Sequence, residues 1–168
     1  MSSSRSSDEQ STTRPPIDAR EAWHRLLQVS SRVLRELDRS LDSEQRMMLS
    51  EFDVLITLDN APDGRLRMTE LAEATLLSSG GMTRLVGRLE QRGLVRRDPD
   101  PDDARAFHAS LTDAGRSSLA QARITHDNVI ATVLGDHLTP REVQNLTGTL
   151  AKVLKDDKIQ TLARDTSK

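Results

Sequence analysis

The apolar positions of this chain fall mostly at three- and four-residue steps. Trp23, Leu26, Leu27, Val33, Leu34, Leu37 and Leu41 share one helix face, which predicts a long amphipathic helix from Ile17. Asp42 to Met48 reads as a connection. A second helix is expected from Ser50, with the serine as cap, Asp53 three residues on, and Phe52, Leu55 and Ile56 facing inward. The turn signal Asn60 to Gly64 ends it. Leu66 to Met68 reads as a brief extended piece, after which Thr69 is the expected cap of a short helix carrying Leu71 and Ala72.

Ser78 or Ser79 opens the next helix, whose Met82, Leu85, Val86 and Leu89 match the i, i+3, i+4, i+7 pattern; Gly93 suits a left-handed cap at its end. The period then changes to two. Leu94 to Arg97 and Ala106 to Leu111 read as strands joined by a polar, proline-rich loop, Asp98 to Asp103. Thr112 should cap a helix reaching about residue 136, and Thr139, Pro140 and Glu142 form a complete capping signal for a last one. Val143, Leu146, Leu150 and Val153 repeat along that helix like a seam. The polar stretch 1–16 and the stretch 156–168 are expected to be disordered and frayed tails.

The predicted class is mainly α with a small β-hairpin wing: a winged helix-turn-helix over residues 50–111, flanked by helical dimerisation segments at 17–48 and 112–155. The outer stripes, with Leu26, Val33, Val133, Leu146, Leu150 and Val153, have too few partners in one chain. A two-fold homodimer would bury them.

Composition narrows the chemistry. Aromatics make up 2% of the 168 residues, which favours helix-on-helix packing. There is no cysteine, which excludes disulfides and thiol sensing. No apolar run approaches the roughly 20 residues of a membrane helix, and the polar N-terminus has no secretory signature. A cytoplasmic protein without membrane partners is expected. His24, His108, His126 and His137 lack ligand spacing, so no metal or other cofactor is expected. Asp98, Asp100 and Asp102 imitate a calcium loop but lack its glycine and final glutamate. No phosphate loop or nucleophile motif is present, and an enzyme with catalytic residues is not expected.

The net charge of -2 hides a local excess of cations. Ser78 to Arg97 holds five arginines and the single acid Glu90. Ser79, Gly80, Thr83, Arg84 and Arg88 stand opposite the apolar face of the 78–92 helix. Small residues at a helix start admit a duplex, and arginines one turn apart reach guanine edges or phosphates. The same pattern also suits a solvated face in a helical protein-interaction dimer that binds no DNA. The hairpin that follows favours the first reading. Arg96, Arg97 and Arg105 would flank the backbone or enter the minor groove, with Asp103 orienting Arg105.

Several pieces together resemble the MarR (multiple antibiotic resistance regulator) family, in order and spacing: Leu71-Ala-Glu, Ser79 to Val86 (SGGMTRLV), Leu89 to Arg97 (LEQRGLVRR), Asp98 to Arg105 (DPDPDDAR) and Leu111 to Arg116 (LTDAGR). The resemblance covers about residues 20–155. It implies an obligate homodimer held by the first and last two helices. It also implies binding to inverted repeats in double-stranded DNA, usually as a repressor released by a small, often phenolic, ligand. The family's wing motif, Asp-x-Arg, matches Asp103 and Arg105; its recognition-helix positions match Ser79, Thr83, Arg84 and Arg88. The effector pocket it implies, between the dimerisation helices and the winged domain, would be lined by Trp23, Met48 and Phe52. Core or dimer packing is the favoured reading of those two aromatics, since large aromatics on an apolar face usually pack.

Overall fold

A computed structural model describes residues 17–75, 77–100, 103 and 106–155. By contacts the chain divides into two units, Met1–Arg32 and Val33–Lys168. The described part of the first is helical and belongs to α1 (Ile17–Gln45). Its Trp23, Leu26, Leu27 and Val29 are exposed, and Arg25 pairs with Glu21 one turn back at 2.8 Å.

In the second unit the order is the end of α1, α2 (Leu49–Asp59), β1 (Arg65–Arg67), α3 (Met68–Ala74), α4 (Ser79–Gln91), β2 (Val95–Pro99), β3 (Phe107–Leu111), α5 (Asp113–Ile130), a π-helical turn (Ala131–Gly135) and α6 (Pro140–Leu154). The core joins Leu41 and Met47 to the inner faces of α2, α3, α4 and α5 and to Val95, Ala109 and Leu111 of the sheet. Each large aliphatic side chain buried here contributes about 1.5–3 kcal/mol of transfer free energy.

Several boundaries depart from the sequence expectations. α1 continues through Asp42 to Gln45 because its last turn is tied to α5. The buried Thr125 donates its hydroxyl to Glu44 (2.7 Å) and accepts from the Gln45 amide (3.0 Å). The helix stops at Arg46, which takes φ +50. This conformation costs a non-glycine residue roughly 1–2 kcal/mol. The Arg46 carbonyl accepts from the Arg92 guanidinium at 3.1 Å, which holds the turn in place.

α2 begins at Leu49, ahead of the expected Ser50 cap. Fully buried Met47 anchors the chain, and the Glu51 carboxylate, in place of Asp53, accepts the Met48 N–H at 3.2 Å. α3 likewise starts before Thr69. Arg67 is the last residue of a strand and so already extended, and its N–H is donated to Glu70 at 2.9 Å.

The hairpin is part of a three-stranded antiparallel sheet of order β1-β3-β2. Leu66 pairs with Ala109, and Arg97 with the same residue on its other side. β2 runs past Arg97 to Pro99, opposite Phe107; proline is tolerated there because β2 is an edge strand.

Thr112 caps α5 as expected, its hydroxyl accepting the Gly115 N–H at 3.0 Å. The expected single helix to residue 136 ends in α geometry at Ile130. Its last turn is widened, with the Asp136 N–H on the Ala131 carbonyl at 2.9 Å. Thr132, Val133 and Gly135, all weak helix formers, occupy that turn.

α6 has the complete cap read from sequence. Glu142 accepts the Thr139 N–H (2.8 Å) and hydroxyl (2.7 Å), and Pro140 fills the first helical position. The Thr139 hydroxyl and then its backbone N–H hold the Glu142 carboxyl below its ordinary value of 4.5. A carboxyl lowered on folding contributes stability above its unfolded value and loses it as pH falls through the lowered one. The α6 terminus should therefore fray as pH drops below 4.5. Wild type should show an acid-dependent loss of helical ellipticity in this range that is reduced in Glu142→Gln. Identical acid titrations of the two proteins would remove Glu142 from this role.

Candidate nucleic-acid interface

The local sequence of α4 gives it two unlike faces. Met82, Leu85, Val86 and Leu89 are buried. Ser79, Gly80, Thr83, Arg84 and Arg88 are exposed. The Ser78 hydroxyl caps the helix by accepting the Gly81 N–H at 3.2 Å. A Cβ built on Gly80 or Gly87 would meet nothing within 4 Å, so neither glycine is required by packing among the described residues. Thr83 donates its hydroxyl to the Ser79 carbonyl at 2.9 Å and remains exposed.

The five arginines of this region are not equally available. Among the described residues Arg84 makes no hydrogen bond or ion pair. Arg92 is held by Glu51, a carboxylate 5% exposed, at 2.8 Å, and Arg88 lies 3.9 Å from the same carboxylate. Arg97 donates to Glu90 at 2.9 Å, and this bond holds the Glu90 carboxyl below the usual carboxylate range. Arg96 bonds the Ser110 hydroxyl (3.0 Å) and Asp98 (3.1 Å) while remaining exposed. The cationic footprint read from composition is thus partly neutralised within the fold. Among the described residues no carboxylate pairs with Arg84.

α4 and the hairpin border a cleft of about 550 Å³ lined by Arg67, Met68, Thr69, Thr83, Arg97, Asp103, Ala106 and Phe107. It brings together Thr83, Arg97 and Asp103 from the sequence reading. Arg105, expected beside Asp103, lies outside the described residues.

The residues considered for an effector pocket are differently placed. Phe52 is 2% exposed and stacked on His126, ring centroids 4.9 Å apart. Met48 is partly exposed where it precedes α2, and Trp23 is exposed on α1. Among the described residues, no group of three or more His, Asp or Glu side chains gathers around a metal position, and no helix is long and apolar enough to cross a membrane.

Sequence reasoning missed the structural roles of Glu51, Arg67, Asp100 and His108, which connect α4 and the hairpin to their neighbours. An acid at the third position of α2 was the available signal for Glu51. For Asp100 the signal was hidden, because a loop aspartate looks the same buried or exposed.

The sequence profile of the MarR family matches residues 47–106. The chain is 36% identical over 90 residues to the HTH-type transcriptional regulator PecS of Dickeya dadantii (strain 3937), a match spanning 51% of this chain and only about half, 54%, of PecS. It is 30% identical over 131 residues to the multiple antibiotic resistance protein MarR of Escherichia coli (strain K12), covering 78% of this chain and 87% of that protein. Among solved structures it superposes on Sco3205, a MarR family transcriptional regulator from Streptomyces coelicolor in complex with DNA. The TM-score is 0.75 and the identity 29%, over 84% of this chain and 89% of that one. The similarity to the Escherichia coli protein takes in most of both chains, and on that extent, with a mainly helical fold and a small antiparallel sheet, the chain belongs to the MarR family.

Proposed function

We propose that this protein is a homodimeric DNA-binding transcriptional regulator that represses from pseudo-palindromic operators and is released by a small ligand. The observation that carries the DNA reading is the outer face of α4. It is small and polar at its N-terminal end, open at Gly80 and Gly87, and bears in Arg84 a guanidinium with no partner among the described residues. The MarR family relative Sco3205, which has the same fold, is in complex with DNA. Residues 50–111 form the reading domain in this proposal, and the segments 17–48 and 112–155 join two copies.

Two α4 helices would enter successive major grooves about 34 Å apart. Ser79, Thr83 and Arg84 would meet base edges. Arg88 and Arg96 would meet phosphates, and Asp103 would orient Arg105 at the minor groove. Affinity would fall steeply with salt as counterions are released. A small ligand would act by favouring a dimer in which the two helices have the wrong separation.

Arg84→Ala tests this. If Arg84 reads a base, operator affinity should drop by about 1–3 kcal/mol, or roughly five- to 150-fold. Fluorescence anisotropy on an operator duplex measures it. An unchanged affinity in a folded variant removes Arg84 from the interface.

A further inference from the structure

Asp100 is an acid in a surface hairpin whose side chain is only 1% exposed. One of its oxygens, Oδ2, lies 2.8 Å from Arg67 Nη2 and 3.6 Å from His108 Nδ1. The other, Oδ1, accepts the Asp103 N–H at 3.2 Å. Arg67 and His108 face each other across β1 and β3, while Asp100 directly follows β2. The backbone closes the same unit, with the Asp100 N–H on the Ala106 carbonyl and the Ala106 N–H on the Asp103 carbonyl, both at 2.9 Å. A single carboxylate therefore connects the strand that leads into α3, the central strand, and the chain entering the hairpin tip.

Burying a carboxylate carries a desolvation cost, and an apolar side chain could fill the same space without it. What an apolar side chain could not do is direct the Asp103 backbone and retain the Arg67 guanidinium. Asp103 and Thr83 of α4 line the same cleft, so the placement of Asp103 bears on how the hairpin meets that helix. We propose that Asp100 is a positioning residue for sequence-specific DNA binding: it fixes the wing against α4 and keeps the Arg67 cation directed inward instead of toward phosphate. This rests on the DNA-binding reading above.

The test compares wild type with Asp100→Asn, which retains an oxygen for the Asp103 N–H but loses the charge that holds Arg67. Two duplexes serve as probes: one recovered from a random-sequence pool by the wild-type protein, and a scrambled duplex of the same length and composition. Affinity for the selected duplex should fall about tenfold, the size of one lost base contact. Affinity for the scrambled duplex should hold or rise, because Arg67 is freed toward phosphate. A variant that was only less stable would lose both affinities in proportion, leaving their ratio unchanged, and an unchanged ratio overturns the proposal. Should Asp100→Asn fail to fold, Arg67→Gln is measured in its place. Its side chain is 45% exposed, so its loss is tolerable, and the same fall in ratio is expected with the same overturning result. Failure of the wild-type protein to enrich any duplex would overturn the DNA-binding reading itself, and this proposal with it.

Discussion

Gly115→Ala should destabilise the protein by about 3 kcal/mol or more and lower its melting temperature by on the order of 10 °C. Gly115 lies in the first turn of α5, where an added Cβ would sit 1.9 Å from the Leu94 carbonyl oxygen and 2.9 Å from its carbonyl carbon. Backbone cannot rotate away as a flexible side chain would. That oxygen also accepts the Thr112 N–H (3.1 Å) and hydroxyl (3.2 Å). Relieving the clash would therefore pull the cap of α5 off the start of β2. Gly87→Ala is the matched control, since a Cβ there meets nothing and alanine is the better helix former. Thermal unfolding followed by circular dichroism measures both. A Gly115→Ala protein that melts with wild type would show that α5 and β2 can separate at little cost.

If two copies join through α6 as proposed, Leu146→Glu should convert the dimer into a folded monomer and reduce operator affinity by more than about a hundredfold, because each half-site would then be bound alone. None of the residues of α6 is buried, although Val143, Leu146 and Val153 line one of its faces. A helix with this stripe is stabilised mainly by packing, and a carboxylate at its centre would have to be desolvated in any apolar interface. Sedimentation velocity at micromolar concentration reads the assembly state, and anisotropy reads the affinity. A dimeric Leu146→Glu protein with intact operator binding would place the interface elsewhere.

The sequence was most legible where one local rule decided the structure. Thr139-Pro140-Arg141-Glu142 became the cap it described, because every partner lies within four residues. The buried face of α4 followed from spacing alone. Boundaries set by distant partners were not legible. α1 outran its apolar stripe because Thr125, far along the chain, holds Glu44 and Gln45. α3 began early because Arg67 was pinned by pairing with His108. The site divided in the same way. The outward set Ser79, Gly80, Thr83 and Arg84 could be read from helical periodicity. Which arginines were already committed could not, because Glu51 reaches Arg92 and Arg88 from another helix.

The strand order β1-β3-β2 also constrains how the molecule assembles. β1 and β3 lie on opposite sides of the helix-turn-helix in sequence, so pairing Arg65 with Ser110 closes a loop containing α3 and α4. Closing a loop of flexible chain costs entropy, and the cost is smaller once the enclosed segment has condensed. The hairpin can zip locally, but its attachment to β1 closes the longer loop and would cost least once α4 has docked. A nascent chain with an unformed helix-turn-helix would thus carry an untethered wing, and under the proposed function partly folded copies would be poor competitors for the operator.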